Sequence, residues 1–395
     1  MVDPVRLLAL ADSDSYLKWA GSTLDQVCAA LPDAQPQVML VRSPLLPTAE
    51  QRTAALDRVS WLTGSERIPV VGPAAIRARL AALSPDVVLV ACTGTLAELL
   101  IRTIRTLPRR PAVVSGLPGI ALPATEAGLQ HRAGADALIV HSRRERQAYA
   151  ALACRLGVVL PTILARLPFL SAQMPHESHR PVNRVVFAAQ SLFPATFSER
   201  TEVLHALGRL ALERPDVRVV IKLRAQDGER QTHDEPYPYE RLWASYRTMA
   251  GFGADALSFG RGAMTSWLTP GAALVTVSST AAVEAIGLGL PTAVLNDFGV
   301  SDELLNAAFV GSGLLATLAD VAGNRFGTAR PEWLADNWFH PEASQLPEAV
   351  VKLARRSRAG LLPTGDASGR SARTWLRSTL PVGVSRLVWA ARRTT

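Results

Sequence analysis

The chain has 395 residues, 48% hydrophobic and 6% aromatic, enough for two α/β domains of ordinary size with well-filled cores. Three cysteines (Cys28, Cys92 and Cys154), odd in number and far apart, argue against a disulfide framework or a zinc site and for a reducing compartment. The net charge of +8 is local: residues 352–395 hold ten cations against Asp366 alone, so this tail carries +9 and the rest of the chain −1, which argues against a nucleic-acid groove through the body.

The N-terminus does not read as a signal peptide, and no apolar run reaches the roughly 18 residues a membrane span needs. Apolar runs at 5–11, 37–41, 68–71, 86–92, 112–115 and 137–141 predict strands. The stretches 15–31, 73–83, 96–107 and 143–156 predict helices between them. Near-continuous apolar strands alternating with helices predict a parallel sheet covered on both faces. Residues 169–183 contain prolines and no periodicity, as expected of a linker.

A second alternation follows, with strands expected at 184–189, 217–223, 256–259, 272–277 and 292–295, and helices at 197–213, 239–249, 280–287 and 302–309. A late helix at 347–358 precedes the basic tail. The fold class is therefore α/β, with two doubly wound Rossmann-like domains facing a cleft. The first spans 1–168 and the second 184–360, with the linker 169–183 between them and the tail at 361–395. Ligands in such sheets sit beyond the carboxyl ends of the strands.

Candidate chemistry collects at those ends. In the first half Asp12-Ser13-Asp14 follows a strand. Two carboxylates at i, i+2 suit a divalent ion, Asp14 alone suits a general base, and an acid or serine here also suits a helix cap. The reading adopted is Asp14 as base with no metal, beside Asp12 and with Lys18 one helical turn on. The loop Ser115-Gly116-Leu117-Pro118-Gly119 also follows a strand. With Gly116, Gly119, Arg132 and His141 it forms a candidate acceptor wall. Ser142 and Glu145, at capping-box spacing, read as a helix cap.

In the second half three strand ends offer donors for a phosphate: Gln190-Ser191, Lys222 with Arg224, and Ser278-Ser279-Thr280. A helix starting near Thr280 points several unpaired N–H groups and its dipole at the turn. Glu284, one turn inside, suits ribose hydroxyls or simply complements the dipole. Gly260-Arg261-Gly262 admits a base or makes a turn, and His233 is a loop residue that suits phosphate or bare solvent.

With these residues in view the chain resembles a two-domain glycosyltransferase of GT-B architecture. Lys222 at a strand end, followed by Ser278-Ser279-Thr280-Ala281-Ala282-Val283-Glu284 and Gly289-Leu290-Pro291, is similar to bacterial capsule-type transferases and to nucleotide-sugar 2-epimerases. Asp12 through Trp19, Ser115 through Gly119 and Lys222 through His233 resemble a bacterial family of proposed glycosyltransferases, over nearly all of residues 5–320. Where capsule-type transferases carry a histidine-proline pair this chain has Arg224-Ala225, and where the epimerases carry paired glutamates it has only Glu284. The resemblance implies metal-independent transfer of a sugar from a nucleotide-sugar co-substrate to a glycan or lipid-linked acceptor hydroxyl, with no other cofactor. An epimerase or hydrolase, and a non-catalytic binding protein on the same fold, are the alternatives. Aromatics and arginines in the tail imply a cytoplasmic protein held peripherally at an anionic membrane surface, with no nucleic-acid partner.

Overall fold

The computed structural model describes residues 3–57, 59–62, 68–170, 180–190, 192–223 and 235–364. The chain divides into two compact units, Met1–Phe169 with Pro341–Thr395, and Leu170–His340.

The first unit runs β1 (Arg6–Ala11), α1 (Asp14–Ala30), β2 (Gln35–Val41), α2 (Ala49–Leu56), β3 (Val70–Val71), α3 (Ile76–Leu83), β4 (Val87–Ala91), α4 (Gly94–Arg105), β5 (Ala112–Gly116), α5 (Glu126–Gln130), β6 (Ala137–Val140), α6 (Arg143–Leu156) and β7 (Thr162–Leu164). Its strands form one parallel sheet in the order β3-β2-β1-β4-β5-β6-β7. Successive side chains of β1 alternate between two cores: Leu7, Ala9 and Ala11 enter one, and Leu8 and Leu10 the other. Helix α1 covers the first face, while α3, α4 and α6 cover the second. Apolar positions on both faces explain why β4 is buried at all five residues.

The second unit runs β8 (Arg184–Ala188), α7 (Phe197–Glu213), β9 (Arg218–Lys222), α8 (Tyr239–Met249), β10 (Ser258–Gly260), β11 (Ala272–Thr276), α9 (Ala281–Gly287), β12 (Thr292–Leu295), β13 (Leu315–Ala316), α10 (Leu318–Ala322) and α11 (Pro331–Asp336). Its parallel sheet has the order β10-β9-β8-β11-β12-β13. Helix α7 starts on a capping box between Thr196 and Glu199. The helix expected at 302–309 is instead a turn followed by a short 3-10 segment, Ala307–Phe309. The Asn306 side chain accepts from the Ser301 N–H at 3.0 Å and donates to the carbonyls of Leu295 and Gly299. Those bonds compete with a helical ladder.

The last described helix, α12 (Leu346–Arg358), joins the first unit, so the second unit ends earlier than the expected residue 360. Its apolar stripe Leu346, Val350, Leu353 and Ala354 packs into the α1 core. Arg358 then pins its end: Nη2 and Nε meet the Asp86 carboxylate at 2.7 and 3.0 Å, and Nη2 also donates to the Pro4 carbonyl at 2.7 Å. Asp86 accepts the Arg6 N–H as well, at 2.8 Å. Burial pushes this carboxyl up, but the bonds from Arg358 and Arg6 outweigh it and hold Asp86 below its ordinary range.

Arg358→Ala is expected to destabilise the first unit by about 1–3 kcal/mol near neutral pH, because it takes the main charge partner from a buried carboxylate and leaves it the Arg6 N–H and the Arg6 guanidinium at 3.6 Å. Since the native pKa is depressed, this stability is present above the unfolded carboxylate pKa and disappears as pH falls. Urea unfolding of both proteins across the acid range checks this, the gap between them closing as Asp86 takes up a proton.

Candidate functional site

In the second unit β8 and β11 are sheet neighbours whose onward connections leave toward opposite edges, β8 to β9 and β11 to β12. Their carboxyl ends therefore border the crevice of a topological switch point. Gln190, two residues past β8, bridges it. Its Oε1 accepts the Ser278 N–H at 2.9 Å and its Nε2 donates to Ser278 Oγ at 3.1 Å. Thr276 Oγ1 accepts the Ser279 N–H at 3.3 Å, and Ser279 Oγ accepts the Ala281 N–H at 3.2 Å.

Those bonds correct one expectation. The turn was expected to offer several unpaired N–H groups, but the side chains of Gln190, Thr276 and Ser279 take those of residues 278, 279 and 281. The helix itself starts at Ala281 and is one and a half to two turns long. Hydroxyl hydrogens are what the turn still has to give. Ser278 and Ser279 accept through oxygen and keep an O–H to donate, and the Thr280 hydroxyl caps nothing. Glu284 sits partly exposed in the first turn of α9.

Lys222 ends β9, level with Ala188 on one side and Gly260 on the other. It is thus one strand from Gln190 and two from Ser278, roughly 10 Å across the sheet. Gly260 serves packing: a Cβ there would lie 2.4 Å from the Trp267 ring, whose Nε1 donates to the Arg261 carbonyl at 2.9 Å. Arg261 pairs with Glu240 at 2.6 Å, and Gly262 takes a positive φ of +89°. Ser191, Arg224 and His233 lie outside the described residues.

One residue that sequence reasoning missed holds this edge together. Arg200 of α7 is fully buried and donates to the carbonyls of Gln190 (3.2 Å), Pro194 (2.9 Å) and Tyr237 (2.8 Å), and to Glu235. The available signal was an arginine standing on the buried stripe with Val203, Leu204 and Leu207.

The first unit has the same switch point between β1 and β4. Asp12, just past β1, is fully buried and accepts from the Thr93 N–H at 3.1 and 3.2 Å and from the Thr93 hydroxyl. Burial pushes its carboxyl up to about 6 against the pull of those bonds. Ser13 is the N-cap of α1, accepting from the Tyr16 N–H at 3.5 Å, and Asp14 is the partly exposed first residue of the helix. The Lys18 ammonium lies 4.7 Å from the centre of the Phe169 ring.

The expected acceptor wall is built into the fold. Arg132 is 1% exposed and donates to the carbonyls of Gly116 (3.0 Å), Gly128 (3.1 Å) and Cys92 (3.1 Å) and to the Tyr16 hydroxyl (2.7 Å). His141 is equally buried. Trp19 Nε1, which can only donate, meets His141 Nε2 at 2.8 Å, so the proton sits on Nδ1 and goes to the Ala165 carbonyl at 2.9 Å. Gly116 makes room for Trp19, whose ring would lie 2.7 Å from a Cβ at that position, and Gly119 uses the left-handed region with φ +86°. Ser142 caps α6 through the Glu145 N–H at 3.0 Å, while the Glu145 carboxylate takes the N–H groups of His141 and Ala121. Arg132 and His141 are thus corrected from ligand-facing groups to internal ties.

A family model described as "Putative glycosyltransferase (DUF6716)" matches residues 7–353. Among solved structures the chain is similar to the S. aureus MnaA–UDP co-structure, with 12% identity and a TM-score of 0.54, over 90% of this chain and 97% of that one. It is also similar to UDP-GlcNAc 2-epimerase from Methanocaldococcus jannaschii, with 11% identity and a TM-score of 0.54, over 89% of this chain and 99% of that one. At such identities the likeness is one of fold, and it supports a two-domain GT-B-type architecture. No curated protein matches the chain.

The Asp12 geometry has a pH signature. Its native pKa is raised, so the native state gains from the neutral form at low pH and loses that gain as pH rises through about 6. Asp12→Asn keeps an acceptor for Thr93 without a buried charge. It is expected to be more stable than the parent near neutral pH, by on the order of 2–3 kcal/mol, and to show no advantage near pH 4. Thermal or urea midpoints at the two pH values check this.

Proposed function

We propose, for a chain that belongs to the DUF6716 glycosyltransferase family, that it moves a sugar from a nucleotide-activated donor to an acceptor hydroxyl without a resident metal ion. The observation that carries this reading is the Gln190–Ser278 bridge at the switch point of the second sheet, where doubly wound folds hold nucleotides. Around it the hydroxyls of Ser278, Ser279 and Thr280 can donate to a departing phosphate. Lys222, at the end of the β9 strand beside β8, supplies positive charge. Stabilising the leaving diphosphate this way is electrostatic catalysis by fixed donors. Glu284 would accept hydrogen bonds from the ribose hydroxyls. Gln190 sets the turn from which the serine hydroxyls project, and Arg200 positions Gln190 through its carbonyl.

On the acceptor side Asp14 is the group proposed as base. Of the two acids near the end of β1, Asp12 is sealed against Thr93, whereas Asp14 is partly exposed. A partly exposed carboxylate at the start of α1 can be reached by a sugar or lipid-linked hydroxyl and accept its proton. The acceptor proposed is a glycan or lipid-linked glycan at an anionic membrane surface. Its support is the basic, tryptophan-bearing tail, of which residues 365–395 lie outside the described residues. Among the described residues no helix is long and apolar enough to cross a membrane.

Calorimetric titration with UDP, CDP and GDP tests the donor site. One nucleotide is expected to bind saturably, with Gln190→Ala and Glu284→Ala each weakening it by about ten- to a hundredfold, the cost of a hydrogen bond involving charge or of a displaced turn. Binding insensitive to both changes would remove the basis of this reading. Asp14→Asn is expected to keep nucleotide affinity and lose transfer, by about a hundredfold or more in kcat. Turnover of the nucleotide-sugar at full rate in the absence of any acceptor would instead favour an epimerase or hydrolase.

A further inference from the structure

A groove of about 680 Å³ runs along the outer side of α4 within the first unit. Helix α4 contributes Glu98, Arg102 and Arg105, spaced i, i+4, i+7 and so on one face. Residues of the segment 130–136, Arg356 of α12 and Pro363 line it as well. Asp136 and Pro161, which also line it, immediately precede β6 and β7. Their part of the groove therefore lies toward the amino edge of the sheet, opposite the edge that carries Asp12 and Asp14.

The charges in the groove do not cancel locally. Asp136 is fully engaged, by both Nη groups of Arg110 at 2.7 Å and by the Val113 N–H at 2.7 Å. Glu98 is shared between Arg102 at 2.5 Å and His131 Nδ1 at 2.9 Å. The two remaining cations meet only neutral oxygen among the described residues: Arg105 donates to the Gly134 carbonyl at 3.0 Å, and Arg356 to the Leu361 carbonyl at 3.4 Å. Each guanidinium carries five N–H donors, so most of the donors on both forks remain uncommitted on the wall of one cavity.

We propose that this groove binds a phosphate monoester, gripped by Arg105 and Arg356 with Arg102 alongside. Planar guanidinium forks match the oxygens of a phosphoryl group in pairs, and a dianion satisfies two such forks at once. The volume leaves room for more than the phosphate itself, as for a phosphosugar or a lipid headgroup. The site is separate from the donor site proposed above, belongs to the other unit and stands or falls without it.

The test uses the full chain and inorganic phosphate as probe, followed by calorimetry or thermal shift. The parent protein and Gln190→Ala are expected to bind phosphate saturably and alike, while Arg105→Ala/Arg356→Ala binds at least about tenfold more weakly. The milder Arg105→Gln/Arg356→Gln pair, checked for a native circular dichroism spectrum, guards against misfolding and is expected to show the same loss. Absence of saturable binding by the parent, affinity unchanged from the parent in both arginine double variants, or loss in Gln190→Ala alone would each overturn the proposal. Flotation with phosphatidylcholine vesicles containing phosphatidic acid separates the sources. Weaker flotation of the double variants assigns the phosphate to lipid, and unchanged flotation with weakened phosphate binding assigns it to a soluble ester.

Discussion

A parallel sheet that reverses its direction of winding leaves two adjacent strands whose loops depart from one another, and the gap between them has to be closed. In this protein a side chain just past the first strand of each sheet closes it. Asp12 reaches Thr93 in one unit, and Gln190 reaches Ser278 in the other. The two closures differ chemically. A carboxylate can only accept, so Asp12 spends its oxygens on Thr93 and is sealed from water. An amide both donates and accepts, so Gln190 organises the turn while the hydroxyl hydrogens there stay available to a ligand. The candidate donor site follows from that contrast.

Behind each closure stands a buried arginine. Arg132 ties the ends of β4 and β5 to α1 through Cys92, Gly116 and Tyr16, and Arg200 ties the loop after β8 to residues 235–237. Loop carbonyls at strand ends have no ladder partner, and burial without one is costly. A guanidinium, with donors spread over a rigid plane, satisfies several such carbonyls from a single position. Placing arginine inside thus fixes loops that would otherwise need water.

Much of this architecture was legible in the residues, and the limits have physical causes. Runs such as Val87–Ala91 and Ala272–Thr276 are apolar at nearly every position, which only a strand covered on both faces requires. Helix α4 showed its stripe through Leu96, Leu100 and Ile104. The strand-end residues were also found, because polar groups after apolar strands stand out. Their direction was not, since burial of His141 is decided by Trp19, 122 positions away. Likewise the stripe on α12 fits either sheet, and contacts with distant residues hold it to the first, among them Arg358 with Asp86, 272 positions away, and Gln345 with Leu164. Short elements such as β13 and α10 lie below the length at which periodicity speaks.

The return of α12 has a consequence for biogenesis. Leu170–His340 is an uninterrupted stretch, whereas its companion is assembled from two pieces that flank it. As the polypeptide emerges from the ribosome, the face of the leading sheet meant for Leu346, Val350 and Leu353 stays bare until the ribosome has passed Arg358. The trailing module can therefore close while the leading one still waits for its final helix, reversing the customary N-to-C order of maturation. A nascent chain stalled in that interval presents an uncovered apolar surface, the kind of surface chaperones recognise.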